Sequence, residues 1–376
     1  MVDVAGRPAR AGRPAFPFII RDSPVKKTLL TCAIAAGLSG AVHAQSNVTV
    51  YGIVDLGYSF RDADGQSNRN AIDSGISSGS RLGFRGTEDL GNGLNVKFVL
   101  EQGIKPDTGE SDQSGRTFGR ASWVSLAGAF GEVRAGRQNA LGYDWFAGGV
   151  TPWGTNYLQA NPKTIFGYDN VAERVDNAVF YYSPSFSGFQ GAIGYARNGN
   201  GNETAGNEND TAVVSAALRY RNGPLLAVLT YDQKDVADSN TTVNRDDTRN
   251  IAIGATYDFG ALKAHFGYGQ LKNRGFKKDA DNENAWLVGL TVPVSTAGKL
   301  MATYQRVNDA RNMNEYGRKF DDNRSGFAVV YDHGLSKRTS LYAYASQYAN
   351  VVLDKSGSSD KLGDATELAL GVRHSF

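Results

Sequence analysis

The chain has 376 residues, 40 lysines and arginines against 38 aspartates and glutamates, 45 glycines, 18 tyrosines, 18 phenylalanines, 4 tryptophans and one cysteine. The balanced charge leaves no electrostatic footprint for nucleic acid, and glycines without a three-residue period exclude collagen. No apolar run is long enough for a bilayer-spanning helix, which excludes a helical membrane protein.

Residues 26–44 read KKTLLTCAIAAGLSGAVHA, two lysines, an apolar stretch and small residues ending in Ala44. This is the layout of a secretory signal, expected over 25–44, with residues 1–24 as an extension from a mis-assigned start. Cys32 is read as an ordinary signal residue, because only four residues separate it from the lysines. Cleavage after Ala44 removes six basic residues and two acids, leaving 34 basic against 36 acidic side chains and no cysteine. A chain without thiols crosses an oxidising periplasm without crosslinks.

From Val48 onward apolar side chains recur at every second residue, in segments of about ten. Leu94, Val96, Phe98 and Leu100 alternate with Asn95, Lys97, Val99 and Glu101; Leu262, Ala264, Phe266 and Tyr268 alternate with Lys263, His265, Gly267 and Gly269. Sixteen strands are predicted, at 48–60, 80–90, 93–103, 118–129, 131–138, 178–185, 189–197, 211–221, 224–233, 250–259, 261–270, 284–294, 299–307, 325–333, 339–349 and 365–376. Short turns such as Leu90-Gly91-Asn92-Gly93 and Asn222-Gly223-Pro224 alternate with long polar connections, the asymmetry of an outer-membrane β-barrel. Tyr181-Tyr182 and Tyr342, Tyr344 and Tyr348 are expected in interfacial girdles. An even count permits antiparallel closure, which lipid demands because an open edge carries unpaired backbone groups. Sixteen strands about 4.8 Å apart and tilted about 40° give a radius of roughly 16 Å, too wide for side chains to fill. The stretch 139–177 exceeds a hairpin loop, and it is expected to fold into the lumen and narrow it.

The residues themselves resemble the sixteen-stranded trimeric general porins of Gram-negative bacteria, beta-proteobacterial type. The likeness is carried by VTVYGIVDLGY from Val48, SRLGFRGTEDLGNGL from Ser80, ASWVSLAGAFGEVRAGRQ from Ala121, RVDNAVFYYSPSFSGFQGAIGYA from Arg174, LSKRTSLYAYASQYA from Leu335 and the terminal ATELALGVRHSF. The resemblance implies an all-β transmembrane antiparallel barrel, a homotrimer embedded in outer-membrane lipid and lipopolysaccharide, and passive diffusion of small hydrophilic solutes and ions without a cofactor. It also implies an eyelet where a third loop carrying acids faces arginines, and a terminal Phe376 read by the barrel-assembly machinery.

By position, Arg81, Arg120 and Arg174 match the family's eyelet arginines. Counting by twos from Leu82 and Phe84 turns Arg81 and Arg85 inward, and counting from Val179 and Tyr181 turns Arg174 inward. Arg120 shares parity with Val124 and Leu126, so an inward place requires a bulge between them. Lys97 and Arg134 also face inward by parity. On the loop side Thr151-Pro152-Trp153-Gly154 carries no carboxylate, and the nearest acids are Asp144, Asp169 and Glu173, which leans the selectivity toward anions. The rival readings are an outer-membrane hydrolase and an adhesin. Gly75-Ile76-Ser77-Ser78-Gly79 satisfies G-x-S-x-G but lacks the strand-turn-helix setting of a nucleophile elbow. His265, His333 and His374 show no metal spacing, and Asp62-Ala63-Asp64 and Asp279-Ala280-Asp281 lack the rest of a calcium loop.

Overall fold

A computed structural model describes residues 47–168, 171–197, 211–235, 246–273, 282–309, 323–354 and 361–376. The expected signal, the extension before it and the Asp279–Asp281 acids lie outside the described residues. Among the described residues eighteen strands form in chain order: β1 (Asn47–Ala63), β2 (Arg69–Ser74), β3 (Arg81–Gly91), β4 (Leu94–Lys105), β5 (Glu110–Ser111), β6 (Ala121–Gly128), β7 (Gly131–Asn139), β8 (Arg174–Tyr182), β9 (Phe189–Ala196), β10 (Val213–Asn222), β11 (Leu225–Lys234), β12 (Thr248–Asp258), β13 (Lys263–Lys272), β14 (Glu283–Pro293), β15 (Gly298–Asp309), β16 (Ser325–Gly334), β17 (Thr339–Asp354) and β18 (Lys361–Ser375). Sixteen make a closed antiparallel wall, each paired with the next and β18 paired back onto β1. The remaining two, β2 and β5, are short ribbons laid on the ends of β1 and β4.

The alternation sorts the two sides of the wall. On β12, Ile251 and Ile253 are exposed while Asn250 and Ala252 are buried, a difference made by what packs on the inner side. Outward rows of Val, Leu, Ile and aromatic residues are the sheet's answer to hydrocarbon, since water would not reward them. Near the short turns the outward aromatics include Phe130, Phe186, Phe259 and Phe376. One such turn, Gly91-Asn92-Gly93, holds three consecutive positive φ angles, of 86°, 51° and 77°, which two glycines make affordable. Tyr342, Tyr344 and Tyr348 do not belong to a girdle: Leu341 points outward, so these three point inward and are buried. Tyr182 likewise turns inward, and only Tyr181 keeps its place outside, with Oη donating to the Phe130 carbonyl at 2.7 Å.

The long connection between β7 and β8 packs on the inner side of the wall. Its Leu141 amide donates to Ser215 Oγ on β10 (2.8 Å), and Asn250 on β12 donates to the Phe166 carbonyl. The Val150 carbonyl accepts from His265 Nδ1 on β13 at 2.7 Å, and Gln305 on β15 donates to the Ala160 carbonyl at 2.8 Å. Between these bonds the contact is dry. Phe146 meets Phe166 edge-on at 4.8 Å, above inward positions of β12 and β13 occupied by Gly254, Gly267 and Gly269. A β-carbon at Gly254 would lie 2.7 Å from Val150 Cγ1, so glycine there is what lets the segment approach. Each fully buried aromatic of this platform contributes on the order of 2 to 3 kcal/mol.

The tip of the segment reaches the opposite side. The Tyr157 amide donates to the Ile76 carbonyl (2.8 Å) and its hydroxyl to Ser77 Oγ (2.9 Å). Its ring stacks on Tyr344 (5.5 Å) and meets Tyr342 edge-on (5.8 Å). The Gly75–Gly79 stretch that mimics a nucleophile motif is therefore a docking ledge: Ile76 is fully buried, the Ser78 amide donates to Asp55, and Ser77 holds the tip. Tyr157 and Leu158 both take left-handed backbone conformations, with φ of 62° and 47°, a strain that the fixed contacts on either side sustain.

Candidate pore constriction

Arg81 opens β3 and stays within the wall's own polar groups. Its Nε donates to the Gly79 carbonyl (2.9 Å), one guanidinium nitrogen to Ser78 Oγ (3.0 Å), and the other lies 3.6 Å from Glu101 on β4. Glu101 is the centre of this bank. It accepts from Arg120 Nε at 2.7 Å and from the Tyr51 hydroxyl at 2.9 Å. Arg120 lies in a bend immediately before β6 begins at Ala121, and the β4–β6 register runs without a shift. No bulge is needed, because strand parity does not apply to a residue outside the strand.

Arg174 begins β8. The count by twos from Val179 crosses an irregularity, a register shift between Gly136 and Gln138 of β7 that leaves Asp176 and Asn177 opposite Arg137, with Asn177 at φ 51°. Its position follows from the chain's return at Glu173. One guanidinium nitrogen is 2.7 Å from Glu173, and the group lies 5.8 Å from the Tyr143 ring. Glu173 also accepts from Lys163 Nζ at 3.3 Å. Arg81, Arg120, Arg174, Lys163 and Glu173 all line one open cavity, with Asp112 as its other lining carboxylate.

The structure therefore brings together Arg81, Arg120, Arg174 and Glu173, and separates the rest of the expected set. Arg85 is exposed four residues nearer the short turns, its guanidinium 5.1 Å from the Tyr51 ring. Lys97 and Arg134 share Glu132, at 3.3 Å and 3.0 Å, and Arg134 is held between Trp123 (4.0 Å) and Tyr182 (4.7 Å). They occupy the inner face near the short turns, outside this cavity, because parity fixes a residue's side and not its height. Asp144 hydrogen-bonds Asn139 and feels the charges of Arg134 and Arg219, also outside the cavity. Trp153 is buried, its Nε1 donating to the Ala160 carbonyl at 3.4 Å; it braces the segment from within. Asp169 lies outside the described residues. Phe376 is bonded through its backbone to Gly52, 3.2 Å and 3.1 Å in the two directions, and its ring is exposed on the outer side.

Glu101 and Lys163 are the additions. Glu101 carried a usable signal, since it alternates in phase with Lys97 on an obvious strand. Lys163 carried none: it lies in a short turn, Pro162–Ile165, within a stretch that has no period.

The chain matches the family model for Gram-negative porins over residues 30–351. It is 33% identical to an outer membrane porin protein of Bordetella pertussis and 35% identical to outer membrane porin protein 32 of Delftia acidovorans, covering 94% of this chain and 100% of the relative in each case. Among solved structures it resembles the anion-selective porin from Comamonas acidovorans, with 31% identity, a TM-score of 0.70, and coverage of 88% of this chain and 100% of that one. Wall, strand number and family match agree: this chain belongs to the Gram-negative porins and is a channel protein of the outer membrane.

Proposed function

We propose that the chain is a passive pore for small hydrophilic solutes, narrowed by its 140–173 segment and preferring anions. The observation that carries this is the cavity's lining, in which Arg81, Arg120, Arg174 and Lys163 stand against fewer carboxylates. A positive potential in a narrow wet passage raises the local concentration of anions and lowers that of cations. Ion-paired guanidinium groups also hold ordered water, so an apolar solute would displace that water without replacing its hydrogen bonds. The similarity to an anion-selective porin supports the same sign. No covalent chemistry is required of any of these groups.

By the same reading the protein is a homotrimer in contact with lipid and lipopolysaccharide, residues 25–44 are its export signal, and Phe376 is its recognition mark for the assembly machinery. The test is a reversal potential for purified protein in a planar bilayer under a salt gradient. Stepwise conductance with an anion-selective sign is expected, and Arg81→Gln or Arg174→Gln should lower the anion-to-cation permeability ratio about threefold, the effect of one charge at contact distance in screened water. A cation-selective sign, or arginine variants that leave the ratio unchanged, would overturn the reading.

A further inference from the structure

The charges at the cavity and directly behind its lining fall into two groups, each of two cations and one carboxylate. Arg81 and Arg120 flank Glu101 on the wall; Arg174 and Lys163 flank Glu173 on the segment and its return. Each group sums to one positive charge, so the segment's bank is not the acidic counterpart that an eyelet with opposed charges would have. Among the groups that line the cavity, four cations meet two carboxylates, Asp112 and Glu173, an excess of two charges, one of which is that of Lys163.

Lys163 is held in place to supply that charge. Its amide donates to Asn161 Oδ1 (3.0 Å), and its carbonyl accepts from the Tyr168 amide (2.8 Å). Asn161 in turn donates to the Thr155 carbonyl at 2.7 Å, and the Ala160 carbonyl before it is fixed by Gln305 on β15. The backbone is clamped on both sides while the side chain remains 37% exposed in the cavity, its Nζ 3.3 Å from Glu173. Burial pushes the Glu173 carboxyl up, but the Arg174 and Lys163 charges outweigh it and hold the group below the usual carboxylate range, hence ionised.

We propose that Lys163 is a selectivity-determining residue of this channel, converting the segment's carboxylate bank into a positive one, so that anions pass between two like-signed banks. The inference rests on the anion preference proposed above and names a group that sets its strength. Without Lys163 the lining excess falls from two positive charges to one.

The experiment is the reversal potential of Lys163→Met, Lys163→Glu, Glu173→Gln and the double variant Lys163→Met/Glu173→Gln, with single-channel conductance recorded alongside. Lys163→Met should lower the permeability ratio about threefold and Lys163→Glu about tenfold, while Glu173→Gln raises it about threefold. In the double variant the two shifts should cancel. An unchanged ratio in both Lys163 variants at unaltered conductance overturns the proposal. Should Lys163→Met raise conductance by dislodging the segment, Glu173→Gln decides: a rise in the ratio supports the proposal, and no change overturns it. A cation-selective parent channel would instead sink the functional reading, with the direction of the Lys163 shift still readable.

Discussion

Two stretches of the inner wall solve different problems with the same alternating backbone. Along β3, β4 and the starts of β6 and β8 the inward positions are charged and wet, arginines paired with glutamates in a cavity open to solvent. Along β12 and β13 the inward positions include Gly254, Gly267, Gly269 and Ala252, and a folded segment covers them with Phe146, Val150 and Phe166. Facing inward is therefore not the same as facing water. One half of the wall is a floor for the segment, and the other half is what the segment leaves open.

If the dry half fixes the geometry of the wet half, loosening the attachment should change conduction more than touching any one charge. The largest effect is expected from Tyr157→Ala, which removes a buried ring and its hydrogen bond at the tip. The attachment should weaken by about 3 to 5 kcal/mol, read as increased single-channel noise and as new protease cleavage within 140–173. Gly254→Val attacks the floor itself. Overpacking against Val150 should cost about 1 to 3 kcal/mol, and single-channel conductance should fall because the segment is displaced toward the cavity's open side.

The smallest effect sharpens the comparison from the wet side. Glu173 is held below its ordinary value of 4.5, so it stays ionised from neutral pH down to about that value, and selectivity should be flat over this range. On further acidification the carboxyl takes up a proton and the anion preference should rise, because Lys163 and Arg174 lose their counter-charge. The linkage has the sign of a depressed carboxylate: its contribution to holding the return at Glu173 is present above the unfolded pKa and is lost as pH falls through the folded one. Reversal potentials measured across that acidic range check both statements.

How much of this was legible beforehand follows the same division. The wall was readable because an alternating strand reports its own environment: sixteen segments, the outward rows, and the inward side of Arg81, Arg85, Lys97 and Arg134 all follow from a two-residue period. Resemblance added Arg120 and Arg174, which parity alone treats wrongly or accidentally, one lying in a bend and the other beyond a bulge. The segment was opaque. Trp153 faces into its own packing, Asp144 faces another part of the lumen and Lys163 faces the cavity, and these orientations depend on the segment's contacts with strands 74 to 145 residues away. Tyr342, Tyr344 and Tyr348 depart from the girdle expectation for a related reason: aromatics near a strand end suit a membrane interface, but these three lie in inward phase, where the first two receive Tyr157 and the third accepts from Gln305.

The pairing of β1 with β18 has a consequence for how the molecule comes to exist. All other neighbours in the wall follow one another along the chain and can meet as hairpins, whereas Ile53 meets Ser375 and Ala63 meets Ala365 across nearly the full length of the polypeptide. That seam has the largest loop-closure entropy and gains most if the hairpins have already drawn its sides together. Until it seals, the protein is a curved ribbon with two bare borders, a form hydrocarbon penalises at every unpaired amide and carbonyl. Insertion and sealing are thus one coupled event, and whatever delivers this chain to the bilayer has to shelter those two borders until they touch.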